Sequence, residues 1–152
     1  MTKSTAFAAS IARNVKAPAS VSLPQIGVFV LERNSASGGS FSVGGAVSAY
    51  FANAILRRCS FVDNRGELGG GAVYFEGEFP LLADCVLVGN EAFGTNQGWG
   101  GGLLFGFFCH GWAQNCLFLG NRAHQGGGLF AMAFTDAQTI NCTFVANQAD
   151  VN

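Results

Sequence analysis

Cysteine recurs along this chain at intervals of 26, 31 and 26 residues, and an asparagine follows each of these four cysteines five positions later. The pairs are Cys59 with Asn64, Cys85 with Asn90, Cys116 with Asn121, and Cys142 with Asn147. Glycine clusters keep the same spacing and end at Gly45, Gly71, Gly102 and Gly128. A period of this length is typical of solenoids, in which one small unit per repeat stacks on the next and buries a continuous core. The repeat therefore predicts a solenoid.

Each repeat contains two short segments rich in β-branched and aromatic residues, one after the glycines and one that begins at the cysteine. Glycine and asparagine flank these segments. Because neither segment is long enough for a helix, the pattern predicts strands. The simplest closed path for such a unit is one coil of a parallel β-helix, in which each strand pairs with its equivalent in the next coil. The sequence thus predicts an all-β parallel β-helix solenoid of about four to five coils.

The alternation of side chains along a strand predicts which residues face the core. If the repeated cysteines point inward, Phe61 and its equivalents also point inward, and the asparagines can form a ladder of side-chain amides at a corner. The predicted core ladder consists of Cys59, Cys85, Cys116, Cys142, Asn64, Asn90, Asn121 and Asn147. The longer interval of 31 residues predicts a loop of about five extra residues within 93–99. Cys109 lies outside the ladder and is expected on a surface or turn.

The two motifs of the repeat resemble those of the polymorphic outer-membrane-protein family, GGA(I/L/V) and FxxN. The FxxN pattern occurs at residues 61–64, 118–121 and 144–147, and the GGA(I/L/V) pattern occurs at 44–47 and 70–73. The likeness covers roughly residues 40–152. It implies a right-handed parallel β-helix and, as one possible function, an adhesin-like passenger fragment of an autotransporter.

Charged residues make up 11% of the chain, whereas a typical domain carries about 25%. With a net charge of −1 and no basic stripe, the chain lacks what nucleic-acid binding requires. The outward columns of the predicted strands are apolar, and large exposed apolar patches mark contacts with protein or membrane. The predicted partner-binding residues, centred on the third coil, are Leu104, Phe107, Phe108, Trp112, Leu119, Phe130, Phe93 and Trp99.

The first part of the chain differs in composition from the repeats. No acidic residue precedes Glu32, and Phe7, Ile11 and Val15 follow the spacing of one helical face. We therefore predict a short N-terminal amphipathic helix and linker in residues 1–24 and the β-helix in residues 25–152. The helix is interpreted as a cap or docking segment, with an organellar transit peptide as the alternative. No apolar run is long enough for a transmembrane helix.

Candidate catalytic and metal-binding groups are few. The ladder cysteines do not converge on one point as thiolate ligands do, so neither a metal site nor a cofactor is expected. His110 and Asp136 are the one acid and base at equivalent positions, and their side chains are expected to be structural. We expect a non-enzymatic structural or docking subunit of a larger membrane-associated complex, with protein subunits as partners and an organellar respiratory or photosynthetic complex as one candidate. The alternatives are the adhesin-like passenger fragment and, more weakly, a carbohydrate lyase or hydrolase.

Overall fold

The computed structural model describes residues 29–38, 42–94 and 97–150. Within these ranges the chain forms 18 short strands and no helix. All of the strands pair in parallel, and they build four sheets that run along a solenoid of four complete coils. The all-β parallel solenoid predicted from the repeat is therefore confirmed. The predicted N-terminal helix lies outside the described residues.

Each complete coil contains four strands, one in each sheet, rather than the two that the sequence indicated. The sheet that follows the glycines, here the glycine sheet, consists of β3 (Val47–Tyr50), β7 (Val73–Glu76), β11 (Leu103–Phe105) and β15 (Leu129–Ala131). The next sheet along each coil, the connecting sheet, consists of β4 (Ile55–Arg57), β8 (Leu81–Ala83), β12 (Trp112–Gln114) and β16 (Gln138–Ile140).

The two remaining sheets carry the cysteine and asparagine motifs. The cysteine sheet consists of β1 (Phe29–Glu32), β5 (Cys59–Val62), β9 (Val86–Val88), β13 (Leu117–Leu119) and β17 (Thr143–Val145). The asparagine sheet consists of β2 (Ser35–Ala36), β6 (Arg65–Gly66), β10 (Glu91–Ala92), β14 (Arg122–Ala123) and β18 (Gln148–Ala149). Because β1 and β2 precede the first complete coil, these two sheets have five strands each.

The core consists of side chains that point into the coils. Each inward position repeats from coil to coil, so the core side chains form columns along the solenoid. Phe61, Leu87 and Phe118 follow one another along the cysteine sheet and have no exposed surface. Phe75 and Phe105 do the same in the glycine sheet, where their ring centroids lie 6.1 Å apart. In the cysteine sheet the outward neighbours of these residues are half-buried or exposed, which is the alternation expected of a strand with one face on the core.

Buried asparagines form a continuous ladder at the corner between the cysteine and asparagine sheets. The Asn90 backbone N–H and side-chain amide both donate to Oδ1 of Asn121, at 2.9 and 2.8 Å, and the same amide donates to the Phe61 carbonyl at 3.1 Å. The pattern repeats at Asn64 and Asn121. These three asparagines have no exposed surface. The ladder thus satisfies polar groups that burial would otherwise leave unpaired.

The glycine segments approach their neighbours closely. A Cβ atom on Gly71 would overlap the carbonyl oxygen of Gly101 in the next coil and lie 2.6 Å from the carbonyl carbon of Glu91. Backbone therefore packs directly against backbone at this position, and only glycine leaves the necessary space.

The predicted register of the glycine segments is wrong by one residue in the third and fourth coils. The prediction aligned Gly102 with Gly71, but Leu103 pairs with Val73, so Gly101 is the equivalent of Gly71. The extra length of the third coil is also divided. Four residues are inserted before the glycines, and the fifth lies in the corner between β11 and β12. A run of three glycines has no side chains that could fix its alignment, which explains the error.

Candidate docking surfaces

Five phenylalanines are exposed at or beside the turn that joins the glycine sheet to the connecting sheet. The exposed fractions are 63% for Phe51, 55% for Phe79, 44% for Phe107, 59% for Phe108 and 76% for Phe134. These five residues are called the aromatic corner. Each of the four complete coils contributes at least one of them, so the exposed rings extend over the described height of the solenoid.

Three of these phenylalanines adopt a backbone conformation that bulky side chains rarely adopt. Phe51, Phe108 and Phe134 have φ values of 46°, 55° and 59°. In the second coil a glycine, Gly77, has the corresponding conformation with φ of 66°. A Cβ atom on Gly77 would lie 2.5 Å from Cδ1 of Phe51, so the Phe51 ring lies directly over this glycine. The path of the backbone through this turn thus requires a positive φ, and a phenylalanine at this position is conformationally strained.

Aromatic rings at the corner contact one another from coil to coil. The Phe108 and Phe134 rings stack with a centroid distance of 5.6 Å and an interplanar angle of 11°. Phe79 stacks on His110 at 5.4 Å and on Trp112 at 6.2 Å. These contacts join the corner to the half-buried Trp112 of the connecting sheet and form a ridge of rings.

A second apolar surface lies on the outer side of the cysteine sheet. Its outward positions, exposed or half-buried, form two in-register columns over five strands. The apolar members, here called the flat face, are Val30, Val62, Val86, Val88, Leu117, Leu119 and Val145. Polar side chains interrupt these columns only at Glu32, Ser60 and Thr143 among the described residues. The flat face therefore combines regular strand geometry with apolar chemistry.

The predicted partner-binding residues do not form one surface. Phe107 and Phe108 belong to the aromatic corner and Trp112 contacts it through Phe79, whereas Leu119 lies on the flat face. Phe130 is half-buried in the glycine sheet. The third coil thus contributes to two separate docking surfaces.

Leu104 was predicted to be an outward partner-binding residue, and this prediction is wrong because Leu104 has no exposed surface. Its side chain packs over Gly69, where an added Cβ would lie 2.5 Å from Cδ2 of Leu104. The neighbouring Tyr74 in the same column is also buried. The chain itself therefore covers Leu104 and Tyr74, so Leu104 cannot contact a partner.

Phe93 and Trp99, at the two ends of the predicted loop, both contact the solenoid. The Arg65 guanidinium lies 4.5 Å from the centroid of the Phe93 ring, a cation–π contact. Trp99 pairs with Gly69 and Gln125 in isolated parallel bridges and is half-buried. Both residues thus have contacts within the chain.

Sequence reasoning missed Phe51, Phe79 and Phe134. A signal for Phe134 was present, since it follows Phe108 by 26 residues, the same interval that separates Cys142 from Cys116. Phe51 and Phe79 carried a weaker signal, because the corner in the first two coils is one residue shorter than in the last two.

Thiols line the interior of the cysteine sheet. Cys59, Cys85 and Cys116 are buried, and Cys142 in the last described coil is half-buried. The Cys59 backbone N–H donates to Sγ of Cys85 at 3.4 Å. Hydrogen bonding to the thiols on either side, together with burial, raises the pKa of Cys85 well above its usual range. The ladder is therefore a chain of packed thiols.

Cys109 was expected on a surface or turn: it does lie in the connection between β11 and β12, but surface exposure is wrong because this residue has no exposed surface. It lies beneath the turn that carries the aromatic corner, where a Cβ on Gly111 would be 3.2 Å from its sulfur. Burial raises the pKa of the Cys109 thiol to about 11. Its environment is that of a core residue.

Charged side chains form pairs on the asparagine sheet, which carries neither of the two apolar surfaces. Arg65 contacts Glu91 at 2.9 Å, and Arg122 contacts Asp150 at 2.6 Å. The hydrogen bond from Arg122 lowers the pKa of the Asp150 carboxyl below its usual range. The described solenoid therefore has a charged side as well as apolar surfaces.

His110 and Asp136 occupy equivalent positions in the corner, and both are exposed. Their backbone N–H groups donate to the carbonyls of Glu78 and Cys109, each at 2.9 Å. Within the described ranges, no cluster of three histidine, cysteine, aspartate or glutamate side chains could hold a metal ion. The same ranges contain no helix that could cross a bilayer.

Comparison of this chain with protein-family models, with curated proteins and with solved structures finds no match.

Proposed function

We propose that the chain is a non-enzymatic structural subunit that binds a partner protein through the flat face of the cysteine sheet. The observation that supports the proposal is the pair of in-register apolar columns on the outer side of this sheet, which include Leu119. An exposed, contiguous apolar surface of this kind marks an interaction site.

The geometry of the flat face suits a protein partner that is itself regular and apolar. Strands in the sheet are about 4.8 Å apart, and two sheets can pack face to face at about 10 Å with their side chains interdigitated. At roughly 25 cal/mol per Å², covering about 300 Å² of apolar surface contributes about 7 kcal/mol before the costs of association. The partner that we propose therefore presents a flat apolar surface, either a sheet or the apolar side of a helix.

The test uses the purified full chain without a partner. The flat face is expected to bind a hydrophobic dye and to cause concentration-dependent association, measured by light scattering. Replacement of Val88 and Leu119 by glutamate should abolish the association and reduce the dye binding to what the exposed aromatic corner retains. The far-ultraviolet circular dichroism should stay unchanged, because outward positions accept charge. Gln138→Glu, an exposed substitution on the connecting sheet, is the matched control. A wild-type chain that stays monomeric at high concentration and binds no dye would overturn the proposal.

The larger assembly is proposed to be membrane-associated, and the exposed rings of the aromatic corner support this part of the proposal. Phenylalanine rings outside the core are unfavourable in water and favourable in an apolar environment. A membrane supplies such an environment without requiring a second protein surface.

An adhesin-like passenger of the polymorphic outer-membrane-protein type is the second candidate. It is supported by the FxxN motifs, whose Phe61 and Phe118 lie in the core and whose Asn64 and Asn121 belong to the amide ladder. An adhesin should bind immobilised cell-surface material, and this binding should persist in the Val88 and Leu119 glutamate variant. Loss of binding in that variant would favour the flat-face subunit.

A further inference from the structure

We propose that the aromatic corner inserts into the interfacial region of a zwitterionic lipid bilayer, so that the solenoid lies on the membrane while its flat face stays free for protein. The inference rests on the membrane-associated assembly proposed above and assigns lipid as the direct partner of the corner. Exposed phenylalanines in four consecutive coils are the observation that carries it.

The shape of the corner favours lipid over protein. The rings lie at a turn of the coil, and a turn in a solenoid is a convex edge. Four coils at a spacing of about 4.8 Å give a ridge only about 14 Å long, whereas a standard protein interface buries about 800 Å² per partner. A convex ridge of this size needs a matching groove in a protein, but a fluid bilayer accommodates it directly.

Burial within the chain does not explain these rings. Phe51, Phe108 and Phe134 are strained at positive φ and yet remain largely exposed. Gly77 has the same type of conformation at the corner of the second coil, so the turn itself does not require an aromatic side chain. Because these strained, exposed phenylalanines contribute little to the stability of the fold, we attribute them to binding.

The charges near the corner indicate the type of lipid. Ionisable side chains exposed in the turns that carry it are Glu78, His110 and Asp136, and the described turns contain no lysine or arginine. Acidic groups gain nothing from an anionic surface, which attracts basic segments instead. We therefore expect the corner to bind phosphatidylcholine, with little dependence on ionic strength.

Vesicles of pure phosphatidylcholine provide the probe. The full chain should sediment with them, and a Trp99→Phe background leaves Trp112, next to Phe79, as the single tryptophan reporter. Its emission should shift to the blue on addition of vesicles and be quenched by lipids brominated near the headgroup. The variant with Phe51, Phe108 and Phe134 replaced by asparagine should bind at least about tenfold more weakly, and it should fold because asparagine tolerates positive φ.

Two comparisons separate this proposal from the proposed function. The Val88 and Leu119 glutamate variant should lose self-association but keep vesicle binding, because it alters only the flat face. The proposal is overturned if the wild-type chain does not bind phosphatidylcholine, or if the triple asparagine variant binds as well as wild type. Binding that requires anionic lipid and disappears in high salt also overturns it. Protein association that is lost in the triple variant, without any vesicle binding, would assign the corner to a protein partner.

Discussion

The rings of Phe108 and Phe134 stack across one coil at 5.6 Å, although both residues have positive φ and both rings are exposed to solvent. A left-handed conformation costs a bulky residue roughly 1–2 kcal/mol, and an aromatic pair returns about 0.5–1.5 kcal/mol. The stack therefore offsets only part of the strain at its two residues. Substitutions that relieve the remaining strain should therefore stabilise the fold.

Replacing Phe108 and Phe134 together by asparagine should stabilise the fold by about 1 kcal/mol, since asparagine adopts positive φ more readily. For a domain of this size, that gain corresponds to a rise in Tm of about 2–4 °C. Phe79→Asn is the matched control, because Phe79 is exposed and stacked but does not have positive φ. Thermal denaturation that shows a larger loss for the double variant than for the control would refute the strain argument.

The asparagine ladder should be most sensitive in the middle of the solenoid. Asn90→Ala removes hydrogen bonds that reach both Asn121 and the Phe61 carbonyl, and it leaves buried polar groups unpaired. At about 1–3 kcal/mol for each unsatisfied group, the loss should be about 3 kcal/mol or more. Asn147→Ala should cost clearly less, because Asn147 is half-exposed, so water can take the place of its side chain and bind the groups that it leaves. Equal shifts in the denaturant midpoint for the two variants would contradict this account.

Glu76 should make the fold less stable as the pH rises. Burial raises the pKa of its carboxyl above the ordinary value of 4.5, so the folded state holds the proton more tightly than the unfolded state does. The contribution of Glu76 to stability is therefore greatest below about pH 4.5 and is lost as the pH rises through the folded-state pKa. Glu76→Gln, which can retain a hydrogen bond with the Tyr74 hydroxyl, should raise Tm at pH 7 and leave it unchanged near pH 4.

Asp150→Asn provides a control of opposite sign for the Glu76 experiment. Arg122 lowers the pKa of the Asp150 carboxyl, so its ionised form stabilises the fold, and this contribution is lost as the pH falls through the folded-state pKa. The substitution should lower Tm slightly at pH 7, and the difference should vanish in strong acid. If both variants shifted Tm in the same direction at pH 7, the assignment of these two carboxyls would be wrong.

Thiol accessibility gives a further prediction. Cys142 is half-buried, whereas Cys109 is fully buried and has a pKa of about 11. At pH 8 iodoacetamide should modify Cys142 first, because the thiolate of Cys109 is both rare and shielded. Peptide mass spectrometry over a time course measures the order, and denaturant should make all of the cysteines react. Early modification of Cys109 would show that the corner opens in solution.

The cysteine and asparagine spacing predicted the parallel solenoid, because both residue types occupy fixed places in every coil. The glycine register could not be predicted as well, since the run 69–71 matches 100–102 glycine for glycine, whereas in the structure it aligns with 99–101 and Gly69 pairs with Trp99. The burial of Leu104 also could not be predicted from the sequence. Periodicity gives the side of a strand on which a residue lies, but it does not show what covers that side.

The aromatic corner was predictable only in part. Phe107, Phe108 and Trp112 stood out as a cluster of apolar residues in one coil; the structure places the two phenylalanines in the aromatic corner and Trp112 against Phe79. Phe51 and Phe79 come from coils whose corner is one residue shorter, so no fixed spacing connects them with Phe108. The corner forms in three dimensions because turns of different length meet along the same edge of the solenoid.

Asn90 donates from one side chain to the coil on either side of it, so three consecutive coils share a single set of buried hydrogen bonds. A mechanical force that pulls one coil off the end would therefore also strain the hydrogen bonds between the two coils that follow it. Each released coil would add about 90 Å of extended chain, at about 3.5 Å per residue. Detachment of one coil also weakens its neighbour, so under steady tension the coils should come off in rapid succession rather than as separate, evenly resisted steps.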